Sequence, residues 1–149
     1  MRSRGFTYLG VLYLVALMGV LLAVAGQAWH TQAMREREVE LLFVGDQYKK
    51  AIVRFHAAGG RYPRELADLL KDPRQPDTRR YLRKLYPDPV TGKNEWGFLK
   101  SADGGIAGVH SLSQDKPFKT AGFRLEYAGF EGKEKYSEWQ FALVPGAAK

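Results

Sequence analysis

An apolar stretch at the N-terminus constrains this chain more than any other feature. Residues 6–29 carry no charge, and the sequence holds no charged side chain between Arg4 and Arg35. A helix of about 24 residues extends roughly 36 Å, which is enough to cross a hydrocarbon core about 30 Å thick. Because Arg2 and Arg4 precede the stretch, the positive-inside rule predicts a cytoplasmic N-terminus and an external C-terminal part.

Three interpretations of this stretch are open. It is an ordinary uncleaved membrane anchor, or a secretory signal cut after the small residues Ala23, Val24 and Ala25. In the third interpretation, a short leader is cut on the cytoplasmic side and the apolar stretch stays in the mature protein. The third is favoured, because residues 34–40 continue as charged, helix-favouring sequence without Gly or Pro. A signal peptide would instead be followed by an extended cleavage region.

The junction before the apolar stretch carries a family motif. Residues 5–9 read Gly-Phe-Thr-Tyr-Leu, directly after two arginines. This pattern resembles the cleavage site of type IV prepilins and type II secretion pseudopilins. The resemblance implies that residues 1–5 are a leader, that a prepilin peptidase cuts after Gly5, and that Phe6 becomes the N-methylated first residue.

Two glycines occupy positions that matter for assembly in that family. The fifth residue after the predicted cut is Gly10. The family usually has a glutamate there, which is thought to pair with the α-amino group of a neighbouring subunit. The resemblance suggests that a missing glutamate goes with a tip or minor subunit, unless the system tolerates a neutral residue. Gly19 falls where the family commonly has glycine, and local melting of the helix there on assembly is an open hypothesis.

Helical character continues beyond the apolar stretch and becomes amphipathic. Apolar residues recur every three or four positions, which is the pattern of one buried helix face: Leu41, Val44, Tyr48, Ala51, Ile52 and Phe55. Gly59 and Gly60 are a strong stop signal. The sequence therefore predicts one helix from Phe6 to about Ala58, with a membrane or filament-core part at 6–29 and an amphipathic part at 30–58.

Residues 59–149 are predicted to form one small periplasmic domain. We expect a short helical turn around Leu66–Leu70, a loop at 72–77, a short basic helix at 79–85 and a proline-rigidified turn at 86–92. Asp103, Gly104 and Gly105 form a natural hairpin turn. The predicted strands are 96–100, 106–111, 123–127 and 139–144. The predicted fold is α+β and pilin-like, with a long N-terminal helix packed on a small antiparallel sheet.

Several short motifs in the C-terminal half extend the resemblance. They are Tyr-Pro-Asp-Pro-x-Thr-Gly at 86–92, Glu-Trp-Gly at 95–97, Gly-x-x-Gly-Val-x-Ser at 105–111 and Ser-x-Trp-x-Phe at 137–141. They resemble pseudopilin-like proteins of bacterial type II secretion-type systems, close to the major-pseudopilin subgroup.

That resemblance implies a structural subunit of the inner membrane that polymerises into a periplasmic filament for protein export. Its partners would be the prepilin peptidase, other pseudopilins and the inner-membrane assembly platform. Two alternatives stay open: a minor type IV pilin for adhesion or DNA uptake, and a membrane-anchored periplasmic binding domain.

Composition and motifs give no sign of an enzyme. The 149 residues include no cysteine, which excludes disulfides, thiolate chemistry and Cys-ligated zinc. The three histidines, His30, His56 and His110, have no metal-binding spacing, and no nucleophile-elbow, P-loop or dinucleotide motif occurs. Beyond the leader, 21 basic residues face 16 acidic ones, which is a modest excess. We therefore expect no catalytic residue and no cofactor.

Two weaker patterns bear on ligands. Major pseudopilins often hold one calcium ion, but their acidic C-terminal loop is not recognisable here, which leaves Asp88, Asp103 and Asp115 as weak candidates. The run 79–84 interleaves basic with aromatic and aliphatic residues: Arg79, Arg80, Arg83 and Lys84 are its basic members. DNA or anionic lipid are possible targets, yet a solvated helix face is the favoured interpretation, so no nucleic-acid partner is expected.

Overall fold

The structure is a computed structural model that describes residues 4–77 and 79–143, without the side chains of residues 4–7, 25, 27, 28 and 30. The chain divides into two compact units, Met1–Glu36 and Arg37–Lys149. A long helix, α1, covers Arg4–Gly59 and contributes to both units. The predicted bounds of this helix, Phe6 to about Ala58, are confirmed to within two residues at each end.

The second unit adds a small sheet and three 3₁₀ helices to the end of α1. Its elements after α1 are a 3₁₀ helix at Leu66–Leu69, strand β1 at Gly97–Lys100, strand β2 at Ile106–His110, 3₁₀ helices at Leu125–Phe130 and Tyr136–Glu138, and strand β3 at Phe141–Ala142. The three strands form an antiparallel sheet in the order β1-β2-β3. The predicted α+β class, with a long N-terminal helix and a small antiparallel sheet, is confirmed.

The core of the second unit lies between α1 and the sheet. All six predicted stripe residues of α1 are buried, none more than 2% exposed. Opposite them lies an aromatic cluster in which the Phe130 and Trp139 rings stack at 5.2 Å between centroids. Phe141 of β3 also belongs to this cluster, and its ring lies directly against Gly45 of α1. The 3.6-residue period of the apolar stripe therefore identified the buried face of the helix correctly.

The first hairpin follows the prediction closely. Strands predicted at 96–100 and 106–111 are observed at Gly97–Lys100 and Ile106–His110. The predicted turn closes between them, where the Ser101 N–H donates to the Gly105 carbonyl at 2.8 Å. Gly104 has a φ of +80°, a conformation that residues with a Cβ rarely adopt.

The strand predicted at 123–127 is wrong. Residues Leu125–Phe130 form a 3₁₀ helix instead, in which the core receives Tyr127 and Phe130, three residues apart. Strand alternation would have put Leu125 on the same side as Tyr127, yet Leu125 is 96% exposed. The backbone leaves helical angles at Tyr127, with φ −122° and ψ 16°, so two short 3₁₀ turns meet there at a kink and both Tyr127 and Phe130 reach the core.

The last predicted strand is much shorter than 139–144. Only Phe141–Ala142 pair with β2, and residues from 144 onward lie outside the described range. Trp139 precedes the strand, because its N–H donates to the Tyr136 carbonyl at 3.0 Å and closes the third 3₁₀ helix.

The basic helix predicted at 79–85 is also wrong, since this segment is irregular. The N–H groups of Tyr81 and Leu82 both donate to the Leu69 carbonyl, at 2.9 and 3.0 Å. These bonds tie the segment to the first 3₁₀ helix and remove the donors that a local helix would need. The short turn predicted around Leu66–Leu70 is confirmed as that 3₁₀ helix.

Candidate assembly segment and the anchors of the second unit

The first unit presents apolar side chains on every side of α1. Each of its large apolar residues between Tyr8 and Val24 is at least 46% exposed: Tyr8, Leu9, Val11, Leu12, Tyr13, Leu14, Val15, Leu17, Met18, Val20, Leu21, Leu22 and Val24. We call these residues the apolar segment. Among the described residues, no helix combines the length and the hydropathy that a membrane crossing requires. A helix that is apolar all round is stable only where other apolar groups cover it.

The glycines of the apolar segment are not explained by packing within the chain. A methyl group added at Gly10, Gly19 or Gly26 would meet nothing within 4 Å. Each glycine still weakens the helix by about 1 kcal/mol relative to alanine. Small residues in an apolar helix allow another helix to approach closely, so these positions are candidate contacts with other chains.

The predicted processing junction lies in the first turn of α1, because this helix begins at Arg4. The side chains of Gly5, Phe6 and Thr7 are outside the described set. Gly10 and Gly19, the predicted assembly positions, both lie within α1, which is continuous across them.

A buried carboxylate ties the second unit to α1. Glu38 is only 5% exposed, and its carboxylate accepts the N–H groups of Phe118 and Lys119 at 2.8 and 3.0 Å. It also accepts the Tyr136 hydroxyl at 2.9 Å. Burial, together with this carboxylate, raises the pKa of the Tyr136 hydroxyl. Glu38 was not among the predicted site residues, although its position three residues before Leu41 puts it in phase with the buried stripe.

A second buried carboxylate holds an arginine against the last turns of α1. Asp72 is fully buried and accepts two hydrogen bonds from the Arg74 guanidinium, both at 2.8 Å, and one from the Tyr81 hydroxyl at 3.0 Å. Arg74 also donates to the Phe55 carbonyl at 3.0 Å, which ties the guanidinium to the last turns of α1.

The same hydrogen bonds keep Asp72 ionised. Those from Arg74, the largest effect, lower the pKa of this carboxyl well below its usual range. A lowered pKa in the folded state stabilises the fold at pH values above the unfolded pKa, which is about 4. This contribution is lost as the pH falls from that value through the lower folded pKa, so the Asp72–Arg74 pair stabilises the second unit at neutral pH.

The three weak metal candidates each accept a hydrogen bond from another side chain. Asp88 is fully buried and accepts the Ser111 hydroxyl at 2.6 Å. Asp115 accepts the Ser113 hydroxyl at 3.0 Å, and Asp103 bonds within the first hairpin turn. In the part of the chain that the structure describes, no three His, Asp or Glu side chains form a group suited to a metal ion.

In comparisons with known proteins, no family model, no curated protein and no solved structure matches the chain. What the fold defines by itself is an α+β protein with a long N-terminal helix, an exposed apolar segment on that helix and a small antiparallel sheet.

Proposed function

We propose that the chain is a structural subunit of a periplasmic filament, a pseudopilin of a type II secretion-type system, and not an enzyme. One observation carries the proposal: an apolar helical surface, exposed on all sides from Tyr8 onward, follows the Gly5-Phe6 junction. Packing several such helices side by side removes this surface from water, at about 25 cal/mol for each Å² of apolar area covered. The apolar segment is therefore the core-forming part of the subunit.

We expect the subunit to pass through two stages, membrane insertion with processing and then filament assembly. It is first held in the bacterial inner membrane by residues 6–29, with a cytoplasmic N-terminus and a periplasmic second unit. A prepilin peptidase removes residues 1–5 and Phe6 is N-methylated. The assembly platform then transfers the subunit into a filament of pseudopilins. Five side chains of this stretch, those of Phe6, Thr7 and residues 25, 27 and 28, lie outside the described set. The absence of a helix suited to cross a membrane therefore refers only to the described part of residues 6–29.

Gly10 supports a minor or tip position for this subunit. A carboxylate in an apolar core is expensive unless an amine compensates it, and that cost favours docking against a neighbour's free α-amino group. Gly10 has no carboxylate, so it carries neither this burial cost nor an attraction to the α-amino group. The subunit would then depend on apolar contacts alone for its place in the filament.

The second unit supports the proposal as a rigid platform for contacts between subunits. Buried Glu38 and Asp72 fix loops that are distant in sequence onto α1. Fixed loops present the same surface in every copy, as a regular filament requires. A minor type IV pilin would share this design, whereas an anchored binding domain would share the apolar helix but would not need to present the same surface in every copy.

Disulfide cross-linking tests the filament core, because the chain has no cysteine of its own. Val15 and Leu17 are both exposed and lie on roughly opposite faces of α1, since two residues turn a helix by about 200°. In the native host, V15C and L17C alone should each give only dimers on oxidation. The double variant V15C/L17C should give a ladder of higher oligomers, because each helix then bonds to neighbours on two sides.

A cysteine at exposed Lys135 in the second unit is the matched control for collision-driven cross-linking. A double variant that stops at dimers under the same oxidation would contradict a filament core that repeats this subunit. It would leave either a tip subunit or a plain membrane anchor, which the mature N-terminus distinguishes.

A further inference from the structure

Four arginines of the second unit line two neighbouring concavities. Arg54 comes from the last turns of α1, and Arg79, Arg80 and Arg83 come from the irregular segment that follows the first 3₁₀ helix. We call these four residues the arginine surface. One concavity, of about 410 Å³, is lined by Arg54, Ala57, Ala58, Arg79, Arg80 and Tyr81. The other, of about 490 Å³, is lined by Arg80, Tyr81, Leu82 and Arg83.

The wall shared by the two concavities is held in place. The Tyr81 hydroxyl donates to buried Asp72 at 3.0 Å, and the Tyr81 ring packs edge-on against Phe55 at 5.5 Å between centroids. The Arg79 carbonyl accepts the Asp72 N–H at 3.1 Å. The arginine side chains therefore project from a fixed backbone and do not form the solvated helix face that the sequence suggested.

These arginines have little to neutralise them. The side chains of Arg54, Arg80 and Arg83 make no hydrogen bond, ion pair or ring contact with any residue that the structure describes. The Arg79 side chain only approaches the Tyr81 ring, at 5.8 Å. No described carboxylate lines either concavity. Like charges converging without a counter-charge create a strong local positive potential that favours an anionic ligand.

We propose that the arginine surface binds the phosphate backbone of a nucleic-acid strand, independently of its base sequence. Guanidinium groups bind phosphate through two parallel hydrogen bonds, and two adjoining concavities suit a linear polyanion. A protein partner is less well matched, because protein interfaces need a large apolar anchor at their centre. Here Leu82 is buried and Tyr81 is half-buried. This activity goes beyond the filament role and does not depend on it.

Fluorescence anisotropy on the full chain in detergent tests the proposal, with a labelled single-stranded oligonucleotide and its duplex as probes. The variant R54A/R79A/R80A/R83A should bind at least about tenfold more weakly near 0.1 M salt. Its plot of log affinity against log salt should be shallower by about 3, since each lost phosphate contact removes about one from the slope. The all-lysine variant at the same positions should keep most of the slope.

A control variant removes the same formal charge elsewhere, at four exposed lysines: K93A, K100A, K116A and K135A. It should lower the affinity by no more than about threefold. An equal loss of affinity in this control, or unchanged binding by the arginine variant, would overturn the proposal. It would show that binding depends on the overall positive charge and not on the arginine surface.

A binding assay with vesicles that contain phosphatidylglycerol distinguishes an anionic lipid from nucleic acid as the ligand of the arginine surface. If the arginine variant lost vesicle binding and kept oligonucleotide binding, the surface would belong to lipid and the proposal would fail. Thermal unfolding of every variant should stay close to that of the parent, because these exposed side chains make no hydrogen bond or ion pair with a described residue, and only Arg79 approaches a ring, that of Tyr81.

Discussion

Replacing Glu38 by alanine is expected to lower the free energy of unfolding of the second unit by about 3–5 kcal/mol. The carboxylate is buried and accepts three donors: the Phe118 N–H, the Lys119 N–H and the Tyr136 hydroxyl. Alanine would leave these donors without an acceptor, and the Tyr136 hydroxyl among them is buried. Denaturant unfolding followed by tryptophan fluorescence reports the change, because Trp139 lies in ring contact with Tyr136.

Two further variants show whether the loss comes from the buried carboxylate. E40A removes an exposed carboxylate of the same helix and should change the unfolding free energy by less than about 0.5 kcal/mol. Y136F removes a single donor and should cost about 1 kcal/mol. If E38A were as mild as E40A, Glu38 would not hold the loop and Tyr136 on α1.

Substituting Gly45 by alanine is expected to destabilise the second unit by about 1–3 kcal/mol. In an unobstructed helix, the same change stabilises by about 1 kcal/mol, because alanine is the better helix former. At Gly45, however, an added methyl group would overlap the ring of Phe141 in β3. The sign of the effect therefore reports the close approach of α1 to the sheet, and chemical denaturation measures it.

Gly129 supplies the matched control for this substitution. It has a negative φ, and a methyl group there would meet nothing within 4 Å, so G129A should be neutral or slightly stabilising. F141L replaces the opposing ring by a smaller side chain. In the double variant G45A/F141L it should restore part of the unfolding free energy lost in G45A, so that the two effects are less than additive. A stabilising G45A would contradict the observed packing.

The parts of the fold that follow from local pattern were predictable. The buried face of α1 follows from one apolar residue every three or four positions, and all six predicted residues are buried. Gly59 and Gly60 end the helix as expected, with Gly60 at a φ of +67°. The β1–β2 hairpin follows from a glycine-rich turn between two apolar runs.

The errors arose where distant contacts decide the structure. Residues 79–85 have helical composition, but the Leu69 carbonyl captures the N–H groups of Tyr81 and Leu82. Residues 123–127 alternate like a strand, but the core takes Tyr127 and Phe130 and leaves Leu125 exposed. Tertiary burial overrides local preference in both segments.

The candidate sites were predictable to different degrees. The apolar segment is evident from the sequence because it needs no partner within the chain. The role of Glu38 is not, since its donors lie about 80 and 98 residues away along the chain. The arginine surface was recognised as a basic run, but Arg54 joins it only through the fold.

Mass spectrometry of the mature N-terminus from the native host tests the filament-subunit proposal most directly. The proposal predicts a chain that begins at Phe6 and carries one added methyl group on its α-amino nitrogen. An intact Met1 would contradict it and indicate an uncleaved anchor. A chain starting at Gly26 would contradict it as well and indicate secretion without the apolar segment.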